Sequence, residues 1–408
     1  MNRNKISCYC RDSVIYTHNK SHFIHNFEHD YQIVLVQESK FDCVKLLIEK
    51  HYNIISEYDL IWTKKHLLRN KQRLGIEDDM LIENVNLEDL NLKAIIFEID
   101  EPEYQLTSTG KYQIKWNNGF FSSISNDVVL LSSNIEKFFS CAALLTGLEF
   151  IKNLSLSEEK VNITKVYRDL IGAEGWHSFD EMFAVTNICA DWLVLRNAEF
   201  LPNDFWGNDK DMDILCRDLD IFLMATNATK KDSGFSNYEV MIESKKVDVD
   251  ARFLGDDYYD RLWQEHMLLT KVFNGIVPLL DLENHFFSLL YHARIHKSVI
   301  KPIYITRLID ISHSLGFIFD QNVLTDDELC AQFFDDFFDS KNYKFTFPYD
   351  FACYENINRD VTKFVMNTKP MCMNLGFTLK LIKNNLFLIF CKLSPRTVKD
   401  YIKRVLGK

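Results

Sequence analysis

Two pairs of aspartates, each with one residue between its members, carry the strongest chemical signal in this sequence. Asp211 and Asp213 lie in "KDMDILC", and Asp248 and Asp250 lie in "KVDVDARF". Both segments alternate as β-strands do, and side chains two residues apart on a strand point to the same face. If the two strands are neighbours, three or four carboxylates converge.

Carboxylates that converge in a dry site need a counter-charge, because burying an uncompensated charge is costly. A divalent cation is the natural partner. Oxygen ligands suit Mg²⁺ or Mn²⁺, which then bridge the phosphate oxygens of a substrate. Two such ions can clamp the attacking and leaving oxygens of an in-line displacement. The alternative is that one aspartate pair only caps a strand end at the surface.

Three regions are predicted to position these residues in an α/β plus α-helical fold. Residues 1–155 alternate strand and helix patterns and predict a mixed α/β domain of unknown role. Residues 160–256 have the pattern of helix, strand, loop, strand, helix and hairpin, which predicts a central mixed sheet. Residues 257–408 carry apolar residues at helical spacing and predict a helical region with a basic tail.

Composition narrows the class of protein. The chain has 408 residues, 47% of them hydrophobic, and a formal charge of −11. This net charge argues against general nucleic-acid binding, because phosphate contacts need clustered Lys and Arg. The longest apolar run, 386–391, is far too short to span a bilayer, and the N-terminus lacks the apolar core of a signal peptide. We therefore expect a cytoplasmic protein.

The C-terminal segment departs from this acidic average. Between residues 361 and 408, Asp400 is the single acidic residue against ten basic ones. Such a segment can rest on an anionic membrane surface, which would make the protein membrane-peripheral. A terminal helix that packs on its own domain is the alternative interpretation.

With these elements in place, the segment "KDMDIL", followed by "VDVD" on a later strand, resembles the polymerase-β-type nucleotidyltransferase superfamily. The resemblance covers about residues 180–255. It implies that Asp211 and Asp213 are paired metal ligands for Mg²⁺ or Mn²⁺. It also implies that Asp250, or alternatively Asp248, is a third acid that binds metal and helps to activate the acceptor hydroxyl.

One element of the superfamily pattern is missing. Its Gly-Ser pair after the first strand is replaced by Arg196-Asn197. In this respect the chain looks more like outlying members, the uncharacterised nucleotidyltransferases and the fukutin and LicD-like phosphotransferases of cell-surface glycans. Arg196, Asn197, Lys210 and Arg252 are then the candidate phosphate or nucleotide ligands, since Arg196 can pair bidentately with phosphate. Glu199 is an alternative ion-pair partner for Arg196.

A second group of candidates lies in "YHARIHK". His292 and His296 are four residues apart, a spacing that can bind a metal, and Lys297 follows. No third ligand lies nearby in the sequence. A helix face beside the active site, or an ordinary position at the edge of the core, is the alternative interpretation.

These residues predict metal-dependent transfer of a nucleotidyl or substituted phosphoryl group from a nucleotide or nucleotide-activated donor to a hydroxyl acceptor. By the resemblance, the acceptor is a glycan and the setting is cell-surface polysaccharide biosynthesis. Two alternatives stay open. One is a nucleotidyltransferase that modifies a small molecule, protein or RNA, as resistance and toxin enzymes do. The other is a catalytically degenerate protein that binds a nucleotide or a partner.

Overall fold

The protein is described by a computed structural model with mixed α-helix and β-sheet content. The described residues are 29–76, 89–100, 102–108, 112–116, 120, 124, 127–148, 166–207, 211–231, 234–297 and 299–368. Lys210, the polar linker at 154–161 and the basic C-terminal segment beyond 368 therefore lie outside the described residues. Within them, no helix is long and apolar enough to cross a membrane.

The first half of the chain builds a five-stranded sheet with the strand order β6-β1-β3-β2-β7. Its elements, with the separate β4–β5 ribbon, are β1 (His29–Gln37), α1 (Phe41–Glu49), β2 (Asn53–Trp62), α2 (Leu67–Leu74), β3 (Leu90–Asp100), β4 (Tyr104–Leu106), β5 (Tyr112–Ile114), β6 (Val128–Leu131), α3 (Ile135–Thr146) and β7 (Val166–Arg168). Successive residues of β1 enter different apolar clusters, one with Val44 of α1 and the other with Phe138 of α3. Helices therefore cover both faces of this sheet.

A seven-stranded sheet follows, with the order β10-β11-β12-β9-β8-β14-β13. Its strands and their helices are α4 (Phe179–Cys189), β8 (Trp192–Val194), β9 (Asp211–Cys216), α5 (Leu219–Thr226), β10 (Thr229–Lys230), β11 (Asn237–Ile242), β12 (Lys245–Phe253), α6 (Arg261–Thr270), β13 (Val272–Asn274) and β14 (Val277–Leu279). The predicted helix, strand, loop, strand, helix and hairpin occur in that order. The hairpin turns at Glu243 and Ser244, both with positive φ, as tight two-residue turns require.

Helices dominate the remainder of the described chain. They are α7 (Leu282–Arg294), α8 (Pro302–Ser314), α9 (Asp327–Lys341), α10 (Phe351–Glu355) and α11 (Arg359–Thr368). Their apolar faces form a cluster with Leu193, Leu195 and Leu215 of the seven-stranded sheet. Met212 and Ile214 lie on the opposite face, in the cluster that also contains Phe183 of α4 and Phe222 of α5.

Two strand pairings cross the predicted regional boundaries. β7 begins at Val166 yet pairs in parallel with β2 of the first sheet. β13 and β14 lie beyond residue 256 yet extend the seven-stranded sheet, with Leu279 opposite Val194. Three-residue strands are too short to produce a recognisable alternation, so the sequence pattern did not reveal them.

Candidate functional site

The two aspartate pairs lie side by side on neighbouring strands. β9 and β12 are parallel, with Asp211 opposite Asp248 and Asp213 opposite Asp250. Residues paired in this way project to the same face of a sheet, so the four carboxylates share one face. This is the face that the C-terminal helices cover. The strand adjacency on which the predicted carboxylate cluster depends is therefore present.

Arg196 reaches this face from the end of β8. β8 pairs antiparallel with β9, and the Leu195 amide continues the ladder by donating to the Asp213 carbonyl at 2.8 Å. The next side chain, Arg196, binds Asp213 through two bonds, Nη2 to Oδ1 at 2.5 Å and Nε to Oδ2 at 3.2 Å. Both side chains are buried. The result is a bidentate ion pair inside the protein.

Arg252 forms a second ion pair on the same face. Its Nε lies 3.1 Å from Asp250 Oδ1, and its Nη2 donates to Asp250 Oδ2 at 3.2 Å. Its Nη1 lies 3.0 Å from Asp350, which also caps the N-terminus of α10. The guanidinium lies 4.1 Å from the centre of the Tyr258 ring. Arg252 is therefore held between two carboxylates and an aromatic face.

The outer pair of aspartates is more accessible. Asp211 is exposed at the start of β9. Asp248 is half-buried and accepts a 2.5 Å hydrogen bond from Lys231. Of the two aspartates on β12, Asp250 pairs with a buried arginine and Asp248 with an exposed lysine.

The environments of the two inner carboxylates push their pKa values in opposite directions. Burial raises the pKa of Asp213, and Arg196 only partly offsets this while the charge of Asp250 adds to it. For Asp250, burial alone would raise the pKa. The charges of Arg252 and Arg196 and a hydrogen bond with Ser236 outweigh this effect, so the pKa falls below the ordinary value. Asp250 is therefore ionised at neutral pH, which suits a cation ligand.

The loop after β8 is fixed by a residue far along the chain. Asn197 has a φ of 57°, a left-handed conformation that Asn tolerates. Its Oδ1 accepts a 2.7 Å hydrogen bond from Arg307 Nη1 on α8. The other terminal nitrogen of Arg307 pairs with Glu199. The alternative of a Glu199–Arg196 pair is therefore wrong, because Arg196 pairs with Asp213.

His292 and His296 lie beside the second arginine pair. His292 Nδ1 is 3.1 Å from the Tyr258 hydroxyl, and the His296 ring is 4.0 Å from the Tyr258 ring centre. Burial, together with Arg196 and Arg252, holds the pKa of both imidazoles well below the usual range, so both are neutral. Lys297 is exposed just after them. His292 lies on α7, His296 lies two residues beyond its C-terminal end, and both side chains are buried.

The neighbouring Tyr258 and Tyr259 pack inside the protein. Both rings are buried, and they contact each other and Trp263 within the helical cluster. Asp256 forms the preceding turn by accepting hydrogen bonds from the Tyr258 amide and Gln264 Nε2. Neither ring offers a stacking surface to a nucleotide base.

Whether a divalent cation fits at this site depends on the two ion pairs, because they already engage the inner carboxylates. Among the described residues, no three His, Cys, Asp or Glu side chains are arranged to hold a metal ion, and the inner carboxylates face guanidinium groups instead. Even so, six buried atoms around the site make no hydrogen bond: Arg196 Nη1, Asp250 Oδ1, Nε and Nη1 of Arg252, and both ring nitrogens of His296. Asp250 Oδ1 lies 3.1 Å from Arg252 Nε, but this contact is not aligned as a hydrogen bond.

Asp213, Asp250, Asp350, Arg196 and Arg252 form an inner cluster whose formal charges do not cancel. Three aspartates, Asp213, Asp250 and Asp350, form ion pairs with only two arginines, Arg196 and Arg252. The inner cluster therefore has an excess of one negative charge, and Asp211 contributes a further carboxylate at the exposed end of the same face. A face of this charge attracts a divalent cation.

Three residues at this site were not foreseen from the sequence: Ser236, Arg307 and Asp350. Ser236 supports Asp250, Arg307 supports the loop at Asn197, and Asp350 supports Arg252; none of the three belongs to a recognisable motif. Comparisons with family models, with curated proteins and with solved structures give no match to this chain.

Proposed function

We propose that residues 160–256 form a nucleotidyltransferase-like core that transfers a nucleotidyl or substituted phosphoryl group to a hydroxyl acceptor, with Mg²⁺ or Mn²⁺. One observation carries the proposal: the parallel register of β9 and β12 places Asp211 and Asp213 opposite Asp248 and Asp250. Two acid pairs on one face supply oxygen ligands and negative charge for a divalent cation, which would in turn bind the phosphates of the donor.

Each side chain then has a distinct role. Asp211, Asp213 and Asp250 hold the cation, which when bound would neutralise charge on the transferred phosphate. Asp250 Oδ1, which makes no hydrogen bond within the protein, accepts a hydrogen bond from the acceptor hydroxyl and orients it. Asp248 and Lys231 together border the entrance.

The basic residues divide into two groups. Arg196, with Asn197 and Lys210 nearby in the sequence, binds donor phosphates. Arg252 positions Asp250, because two carboxylates and Tyr258 already engage its guanidinium. His292 and His296, both neutral, shape the wall behind Arg252, with Lys297 exposed beside them.

The donor is a nucleotide or nucleotide-activated compound, and the acceptor proposed from the resemblance is a cell-surface glycan. That setting suits a cytoplasmic protein whose basic C-terminal segment contacts an anionic membrane. This part of the proposal rests on the superfamily resemblance and on the charge of residues 361–408.

Metal binding and turnover test the proposal together. Mn²⁺ binding is followed by electron paramagnetic resonance, and turnover is assayed with a panel of nucleoside triphosphates and CDP-linked donors. Asp211→Asn and Asp250→Asn should each weaken Mn²⁺ binding by about 10-fold or more and lower turnover by about 1,000-fold. The control Asp310→Asn changes an exposed acid on α8 and should leave both unchanged. A native protein that neither binds Mn²⁺ nor turns over any donor would refute the proposal.

The second candidate function is that of a degenerate core that binds a nucleotide or a partner without catalysis. The observation in its favour is that a buried arginine pairs with each inner carboxylate. In that case, nucleotides raise the melting temperature equally with and without Mg²⁺, and Asp211→Asn binds them as the native protein does. The metal-dependent proposal predicts that the shift needs Mg²⁺ and is lost in Asp211→Asn.

A further inference from the structure

The ion pair between Arg196 and Asp213 occupies a position that the proposed function assigns to a metal ion. Asp213 Oδ1 and Oδ2 both bind the guanidinium, at 2.5 and 3.2 Å. A cation at Asp213 must therefore compete with the guanidinium for the same carboxylate oxygens. Whether a cation binds at Asp213 therefore depends on what becomes of the displaced guanidinium.

The hydrogen bonding of the cluster is incomplete at several buried atoms, which include Nε and Nη1 of Arg252 and both ring nitrogens of His296. Arg196 Nη1 is buried and makes no hydrogen bond, and neither does Asp250 Oδ1 on the neighbouring strand. Buried polar groups are nearly always hydrogen-bonded, so unpaired ones require an explanation. Arg196 Nη1 is a donor and Asp250 Oδ1 is an acceptor. A metal-chelated phosphate offers anionic oxygens to the first and a cation to the second.

We propose, resting on the function proposed above, that Arg196 is an exchangeable internal cation. In the metal-free protein it neutralises Asp213; when a metal-chelated polyphosphate binds, the metal takes Asp213 and Arg196 transfers to the phosphate oxygens. The site then selects the metal–polyphosphate complex over either component alone.

The selectivity follows from the cost of unpaired buried charge. A metal that binds alone displaces Arg196 and leaves a buried guanidinium without an anion. A polyphosphate that binds alone draws Arg196 away and leaves Asp213 buried without a cation. Breaking a buried pair by removing one partner is strongly unfavourable. Only the complex supplies a new partner to both members.

Arg252 cannot exchange its partners as Arg196 does. Arg252 contacts Asp250, Asp350 and the Tyr258 ring at once. Moving it would leave two carboxylates unpaired rather than one. The exchange is therefore assigned to Arg196 alone.

The exchange predicts opposite effects of one substitution on two ligands. Mn²⁺ alone is titrated by electron paramagnetic resonance, and the Mg²⁺–tripolyphosphate complex by calorimetry, on the full chain. Arg196→Gln should bind Mn²⁺ alone about 10-fold more tightly than the native protein and the complex about 10-fold more weakly. The matched control Arg217→Gln removes an arginine that pairs with Asp191 and Glu265 away from the aspartate pairs and should change neither affinity.

The possible failures separate the two proposals. If the native protein binds Mn²⁺ but Arg196→Gln weakens both ligands or changes neither, the exchange is overturned and the metal site stands. If neither the native protein nor any variant binds Mn²⁺ or the complex, the metal-dependent function itself is refuted, and the exchange with it.

A second measurement follows the guanidinium of Arg196 in the native protein itself. The Arg196 Nε–Hε resonance, assigned by its loss in Arg196→Lys, should shift when Mg²⁺–tripolyphosphate is added, because its acceptor changes from carboxylate to phosphate. A saturated complex that leaves this resonance unchanged would overturn the exchange.

Discussion

Two pairs of arginines in this protein have opposite surroundings. Arg69 and Arg73, on α2, donate to backbone carbonyls at the C-terminal end of α5, including those of Leu223 and Met224. Arg196 and Arg252 bind side-chain carboxylates on β9 and β12. The first pair attaches the first half of the chain to a helix of the seven-stranded sheet. The second lies at the candidate site.

The groups that contact each pair of arginines determine the direction in which the arginine pKa values shift. Burial lowers the pKa of Arg73 to about 9, because carbonyl groups supply no formal negative charge. For Arg196 and Arg252, burial is outweighed by nearby aspartates, and their pKa values rise. Arg73 satisfies its nitrogens with three carbonyls, whereas Arg196 retains an unpaired buried nitrogen. We therefore interpret the carbonyl-bound pair as structural and the carboxylate-bound pair as a site that a ligand completes.

The largest expected difference between the two pairs is at Arg73. Arg73→Met should lower the free energy of unfolding by about 5 kcal/mol, because three carbonyls lose their donors. Urea denaturation measures the change. Arg168→Met, at an exposed arginine, should cost less than about 0.5 kcal/mol. A loss at Arg73 no larger than the loss at Arg168 would show that the carbonyl-bound pair does not hold the two halves together.

The carboxylate-bound pair should respond differently to replacement of both partners. Arg196→Met alone should cost about 4 kcal/mol in the metal-free protein, because Asp213 is left buried and unpaired. Adding Asp213→Leu should restore stability to within about 1 kcal/mol of native while abolishing Mn²⁺ binding. If the double variant stays as unstable as the single one, the pair is a structural element like Arg73.

Asp256 tests the electrostatics next to Arg252. Burial raises the pKa of Asp256 to about 6, although Arg252 acts against it. The folded state therefore binds this proton more tightly than the unfolded state does. The resulting stabilisation is fully present below about pH 4 and is lost as the pH rises through about 6.

Over that interval the native free energy of unfolding should fall, relative to Asp256→Asn, by on the order of 3 kcal/mol. Urea titrations at half-unit steps of pH measure the difference between the two curves. Asp310→Asn should retain the native slope. Parallel curves for the native protein and Asp256→Asn would contradict the raised pKa.

The smallest effect is expected at the rim of the site. Lys231→Gln removes the partner of Asp248 where both side chains are 42% exposed. Its cost in stability should be below about 0.5 kcal/mol, because exposed ion pairs contribute little. Urea denaturation measures it, and a cost above about 2 kcal/mol would show that the outer pair belongs with the buried ones.

The sequence predicts this site in part, for physical reasons. The shared face of Asp211 and Asp213, and of Asp248 and Asp250, follows from local strand alternation. The strand adjacency was a condition of the prediction, and the structure meets it. The mixed α/β content with a helical region was likewise predictable from periodicity.

Partners distant in sequence could not be predicted. The Arg196–Asp213 pair depends on the antiparallel register of β8 and β9, and the Arg252–Asp350 pair joins residues almost a hundred positions apart. Both arginines were therefore assigned to phosphate, although in this structure both bind carboxylates. Local patterns identify which face a side chain occupies, and tertiary packing determines its partner.

The most direct test of the central claim is to locate a metal at β9 and β12. Crystals of the native protein grown with Mn²⁺ and tripolyphosphate are measured at a wavelength where Mn scatters anomalously. We expect an anomalous peak within about 2–2.3 Å of carboxylate oxygens of Asp211, Asp213 and Asp250, with Arg196 moved from Asp213 to phosphate. An intact Arg196–Asp213 pair with no peak on this face would contradict the account.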